Sequence, residues 1–141
     1  MSFTPAEVDY IRSQPLARVA TVAPDGQPDV TPVTHEFDGT HFWIGGYNPT
    51  ATRRTRNLRA GNNKVALVID DLAPGDGWRP RYLRVYGTAQ LVERPAGSGT
   101  LLMRIAPDTS WSMNLDAEWS AGGAHDITAR KADHSDPKEP S

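Results

Sequence analysis

The 141-residue chain has no cysteine. That excludes disulfides, thiolate nucleophiles and cysteine-based metal sites, and nothing ties the fold to an oxidising compartment. No stretch is long and apolar enough to span a bilayer, and the start, MSFTPAEVDYIRSQ, is amphipathic and charged rather than an apolar run behind basic residues. A cytoplasmic protein, neither secreted nor embedded in a membrane, is the expectation. An excess of one charge is also missing, since 15 Lys and Arg stand against 17 Asp and Glu for a formal net charge of -2. Without a global positive field there is no general attraction for nucleic acid or membrane, so a basic cluster must act locally, on a small anionic ligand. No G-x-S-x-G elbow is present, and the GSGT of Gly97 to Thr100 lacks the lysine and spacing of a phosphate-binding loop. Hydrolase and nucleotidase readings therefore have no motif to stand on.

What the chain does have is strand patterning. Thr4 caps a first helix with Pro5 at its first position and Glu7 three residues after the cap, and Pro15 ends it. The run LARVATVAPDGQPDVTPVTHEFDGTHFWIGGYNP reads as three strands of an antiparallel meander, punctuated by the turn chemistry of Pro24-Asp25-Gly26 and Asp38-Gly39. KVALVIDDL is apolar on both alternations, so both of its faces should be covered. From Tyr82 to Val92, Leu83, Val85, Ala89 and Leu91 point one way, and Tyr82, Arg84, Tyr86, Thr88 and Gln90 the other; Gly87 marks a bend. TLLMRIAP reads as a further strand or a short helix and strand, followed by TSWSMNLDAEW with its two tryptophans. Residues 122–141 lose all periodicity and read as a mobile polar tail on a single domain of residues 1–121. The order predicts a mainly β fold, a six-stranded, mostly antiparallel barrel with few helices.

The densest chemistry lies in YNPTATRRTRNLRAGN, Tyr47 to Asn62, where Arg53, Arg54, Arg56 and Arg59 occur with no acidic residue among them. A second helix, capped by Asn48 or Thr50 and stopped at Gly61-Asn62, carries them. Its amino end would join Thr50, Thr52, Arg53 and Arg54 into a phosphate cradle, because helix dipole and guanidinium groups both favour an anion there. A solvated basic face is the plain alternative, about even on the helix alone; the missing acids and the crowding at the amino end favour the anion. Just upstream, Gly45 and Gly46 leave room for a flat ring against backbone, with Trp43 and Tyr47 beside them.

Other clusters are weaker. His35 and His41 flank a turn but lack a third ligand, and no metal site is expected. Asp70 and Asp71 end a strand before Pro74-Gly75 and read as turn-capping residues. Trp78, Trp111 and Trp119 sit where aromatics cover a ligand, a partner subunit or the core. A small barrel whose central strand is apolar on both faces is short of buried area alone, and dimerisation would supply it.

The ordered set LARVATVAPDGQPDVTPV, HFWIGG, TRRTRNL, KVALVID and YLRVYGTAQLVE, over residues 4 to 112, resembles the pyridoxamine 5'-phosphate oxidase-like, FMN-binding split-barrel family. Within it, the resemblance is to small oxidoreductases that use the deazaflavin coenzyme F420. MRIAPDTSWSM is similar to the last strand of a subgroup that includes reductases of tetracycline biosynthesis. The resemblance implies a homodimeric split barrel with cofactor sites at the subunit interface. Pro32, Val33 and Thr34 with Trp43, Ile44, Gly45 and Gly46 would line the ring and its chain. Thr50, Thr52, Arg53, Arg54 and Asn57 would hold the phosphate, and Trp78 and Arg79 would come from the other subunit. The implied reaction is hydride transfer from reduced F420 to an enone-like substrate; FMN is the alternative cofactor, and a non-catalytic flavin- or deazaflavin-binding protein the alternative function. No side chain stands out as catalytic: Tyr47, His35, Tyr86 and solvent are all candidate proton donors.

Overall fold

The computed structural model describes residues 2–45, 52–116, 119–120, 123–124 and 127–134. The chain runs α1 (Pro5–Ser13), β1 (Leu16–Val22), β2 (Pro28–Thr34), β3 (Glu36–Phe37), β4 (Phe42–Ile44), α2 (Arg53–Arg59), β5 (Lys64–Leu72), β6 (Pro80–Glu93), β7 (Leu101–Met113), β8 (Trp119–Ser120), β9 (Gly123–Ala124) and β10 (Ala129–Asp133). The main sheet is antiparallel in every pairing, ordered β2-β1-β5-β6-β7-β4-β3, with β10 also on β7. It curls into a half-barrel around one core.

Local chemistry starts the fold as its sequence predicts. Thr4 and Glu7 form the reciprocal capping box of α1, with Thr4 Oγ1 accepting from the Glu7 amide at 3.1 Å and Glu7 Oε1 from the Thr4 amide at 2.9 Å. Period-two alternation then sorts β1, β5 and β6. Val19, Leu67, Ile69, Leu83 and Val85 are buried under α1 and α2 among Ile11, Phe42, Ile44 and Ile105.

Three expectations need correction. Among the described residues the main sheet has eight strands, not six. The first extra strand, β3, is two residues long, too short to carry a period. The second is β10, inside the segment expected to lack regular structure: it forms because the second half of β7 offers an open edge, a long-range opportunity invisible in local pattern. The run expected as separate late elements is one strand, β7. Its register steps from Tyr86↔Thr109 to Gly87↔Pro107, leaving Asp108 as the extra residue of a bulge. Gly87 is required there, because a Cβ would stand 2.6 Å from Ile105 Cγ2 and 2.8 Å from the Ala106 carbonyl oxygen.

Within one chain, β5 is covered on one face only. Ala66 and Val68 lie on the outer face, in rows fixed by the register: Pro32-Arg18-Val68-Arg84-Trp111-Lys131 and Val30-Ala20-Ala66-Tyr86-Thr109-Asp133. Leu16, Val22, Val30, Leu72 and Tyr86 share this face and are all exposed. Among the described residues, no helix is long and apolar enough to cross a membrane.

Candidate functional site

The second helix begins later than expected. Its cap is Thr52, whose Oγ1 accepts from the Thr55 amide at 3.3 Å and donates to Thr55 Oγ1 at 3.0 Å. Asn48 and Thr50, expected as caps, and Gly46, Tyr47 and Thr50 as site residues lie outside the described residues. With only seven residues the helix has a weak dipole, so an anion site here depends on side chains.

Arg54 supplies the central one. It points back across the chain and donates from Nη2 to the Gly45 carbonyl oxygen at 2.9 Å, tying the start of α2 to the end of β4. Beside it opens a cleft of about 470 Å³ lined by Leu16, Thr31, Pro32, Val33, Thr34, Thr52 and Arg54. Five residues named from the sequence therefore meet in one place, and Gly45 joins them through Arg54. Partial burial pulls the Arg54 pKa below the usual arginine value, with the charge of Asp29 opposing. A half-buried cation bordering an open cleft is a fitting partner for an anion.

Arg53 is placed differently. Its guanidinium is exposed and stands 4.0 Å from Asp29 on β2, so the acid that the helix lacks comes from a neighbouring strand. Arg56 and Arg59 are exposed on the helix surface. Asn57 is only 3% exposed and donates from Nδ2 to Thr21 Oγ1 at 2.9 Å. Its amide locks α2 onto β1, and Asn57 does not line the cleft.

Gly45 is tied to the cleft through Arg54, whereas Trp43, expected beside the ring, has partners elsewhere. Ile44 is a core residue. Trp43 donates from Nε1 to Asp38 Oδ2 at 2.8 Å, and the guanidinium carbons of Arg94 and Arg104 lie 4.4 Å and 5.9 Å from its ring centroid. The indole is thus committed on both its polar edge and its face. Thr31, missed in the sequence, lines the cleft because it shares the inward row of β2 with Asp29 and Val33; strict alternation along PDVTPVT was the signal that names it.

Trp78 and Arg79 belong to the hairpin between β5 and β6 and do not line this chain's cleft. Trp78 is 70% exposed. Asp70 and Asp71 pair with arginines instead of capping a turn: Asp70 with Arg18, and Asp71 with Arg81, where Arg81 Nη2 is 2.6 Å from Asp71 Oδ2. His35 makes its contact through Nε2 to the Gln14 carbonyl oxygen at 2.8 Å, and His41 sits beside Thr40. Among the described residues no group of His, Cys, Asp and Glu is arranged to hold a metal ion.

Comparison with known proteins agrees with this architecture. The chain is 36% identical over 138 residues to the 5a,11a-dehydrotetracycline/5a,11a-dehydrooxytetracycline reductase of Streptomyces rimosus, covering 92% of this chain and 96% of that one. Among solved structures, a conserved hypothetical protein of Mycobacterium tuberculosis superposes with a TM-score of 0.66 at 22% identity, covering 86% of this chain and 93% of that one. An F420 reductase superposes with a TM-score of 0.52 at 24% identity, covering 69% and 90%. Both of these structural likenesses are likenesses of fold. The family described as pyridoxamine 5'-phosphate oxidase matches residues 3–110, and the chain belongs to it.

Proposed function

We propose that the protein is an oxidoreductase that binds coenzyme F420 through the Arg54 cleft and reduces an unsaturated, enone-like small molecule of the tetracycline type. The observation that carries this reading is the half-buried Arg54 guanidinium bordering a cleft whose opposite wall is Thr31 to Thr34. Among the described residues Arg54 makes no close ion pair and feels the Asp29 charge only at longer range, and a phosphate would supply a close partner. The extensive relative named as a dehydrotetracycline reductase supports both the reaction class and the substrate class. The arginine-rich surface of α2 favours the more anionic deazaflavin over FMN.

When bound, the reduced deazaflavin supplies a hydride to an electron-poor carbon of the substrate. The chain's part is placement. Arg54 anchors the phosphate, the Pro32 to Thr34 edge of β2 orients the ring, and Gly45 leaves room beside it. No side chain is assigned as the proton donor: His35 is engaged with Gln14, and Tyr86 stands on the outer face.

The working unit in this reading is a homodimer formed through the outer sheet face, where Leu16, Val22, Val30, Leu72 and Tyr86 wait for cover. Trp78, standing clear of its own chain, would close the cleft of the second copy. A fluorescence titration of the purified protein with F420 beside FMN tests the cofactor. Saturable F420 binding that is weakened more than tenfold in Arg54→Ala is expected. Tighter binding of FMN would transfer the cleft to that cofactor, and binding of neither would overturn the reading.

A further inference from the structure

The β5–β6 hairpin does not have the build of a flexible loop. Its tip is braced internally, because the Ala73 amide donates to the Arg79 carbonyl oxygen at 2.7 Å and Arg79 Nε donates to the Asp76 carbonyl oxygen at 2.7 Å. The Arg79 guanidinium lies so close over Gly75 that a Cβ there would stand 2.8 Å from its Cζ. This scaffold presents Trp78, a large apolar side chain that its own chain leaves uncovered. Ordering a hairpin costs entropy, and one that is already rigid meets a partner without that cost.

The root is held as firmly as the tip. Asp71 accepts from Arg81 Nε at 2.9 Å and Nη2 at 2.6 Å across the strand pair, from the Tyr10 hydroxyl at 2.8 Å and from Gln14 Nε2 at 3.3 Å. The Arg81 guanidinium also stacks over the Tyr10 ring, 5.2 Å from its centroid. One carboxylate thereby joins α1, the end of β5 and the start of β6. On the far side Asn114, in a left-handed conformation at φ 62°, donates from Nδ2 to the Pro80 carbonyl oxygen at 3.0 Å. None of these groups lines the Arg54 cleft.

We propose that Asp71 is a positioning residue: by fixing the root of the hairpin it sets where Trp78 stands, and through Trp78 the cofactor affinity of a second copy's cleft. The inference rests on the reading of Trp78 as the partner-side wall. Four full-length proteins test it, the unaltered chain, Asp71→Asn, Trp78→Ala and the double variant, each titrated with F420 and with FMN. Asp71→Asn weakens binding about tenfold, the low end of what one lost charged hydrogen bond is worth. In the Trp78→Ala background the same change has no further effect, a coupling that general loss of stability would not produce. Unchanged affinity in Asp71→Asn overturns the proposal, as does an equal loss in both backgrounds. If Trp78→Ala itself binds like the unaltered chain, the partner-wall reading is what fails, and the proposal with it. Should Asp71→Asn not fold, Tyr10→Phe, which removes one donor and leaves the Arg81 pair intact, is expected to give a smaller loss that again vanishes without Trp78; no loss overturns it.

Discussion

Arg54 Nη2 donates to the carbonyl oxygen of Gly45 at 2.9 Å, so the residue expected to hold a phosphate also fixes the end of the strand expected to hold a ring. This geometry separates two arginines that sequence treats alike. Arg54→Ala removes a half-buried cation and should weaken cofactor binding by about 1.5–3 kcal/mol, the range for hydrogen bonds to charged groups. Arg53 is exposed and already near Asp29, so Arg53→Ala should cost less than about 1 kcal/mol. Equal losses in the two titrations would mean that the cleft is not the anion site.

Mixed dimers can show where Trp78 acts. If the hairpin of one copy closes the cleft of the other, then combining Arg54→Ala chains with Trp78→Ala chains creates one site with both defects and one with neither. Tight binding should return at up to half the sites of each mixed dimer. If Trp78 served its own chain, every site would carry one defect and no tight binding would return.

Local signals carried the early half of the fold, and long-range ones carried what was missed. The capping box at Thr4 and Glu7, the turns at Gly26 and Gly39 and the alternation from Tyr82 to Val92 are written in neighbouring residues. The sequence of β7 looks like two elements because the bulge at Asp108 shifts its inward residues from Met103 and Ile105 to Ser110 and Ser112, breaking the period. β10 depended on an open edge formed elsewhere. In the site, Pro32, Val33, Thr34, Thr52 and Arg54 were legible as a constellation and do line one cleft. The partners of Asn57 and Trp43 were not legible, because Thr21, Arg94 and Arg104 are distant from them in sequence.

The bulge gives a stability prediction. Gly87→Ala forces a methyl group against a backbone carbonyl that cannot rotate away, at 2.8 Å, and against Ile105. A loss of about 1–3 kcal/mol is expected from such overpacking, read as a lower urea midpoint with an unchanged slope. A midpoint equal to that of the unaltered chain would show that the β6–β7 register slips to make room.

Acid sensitivity should trace to Asp71. The Arg81 hydrogen bonds, against the opposing effect of burial and helped by Tyr10, hold its pKa below the ordinary value of 3.8. Its folded pKa is thus below the unfolded one, so its contribution to stability is complete above about pH 4 and is lost as pH falls through the folded value. Asp71→Asn should flatten the dependence of unfolding free energy on pH below about pH 4. An identical slope in the variant would assign acid unfolding to other carboxylates.

Glu7 offers the most demanding test of the packing around the chain ends. Its carboxylate is only 2% exposed and accepts from the Thr4 amide at 2.9 Å, Ser112 Oγ at 2.7 Å and Arg130 Nη1 at 2.5 Å. Arg130 belongs to β10, so this one group joins α1, β7 and the last strand. Arg130→Met strands a buried charge and should cost about 3 kcal/mol, the usual cost of breaking a buried pair from one side. Glu7→Gln leaves Arg130 partly exposed and able to reach water, and should cost less. The double variant removes both charges and should lie well above the sum of the two losses in stability, because neither ion is left uncompensated. Strictly additive losses in urea unfolding would mean that Glu7 and Arg130 act independently and that β10 is held by its backbone ladder to β7 alone.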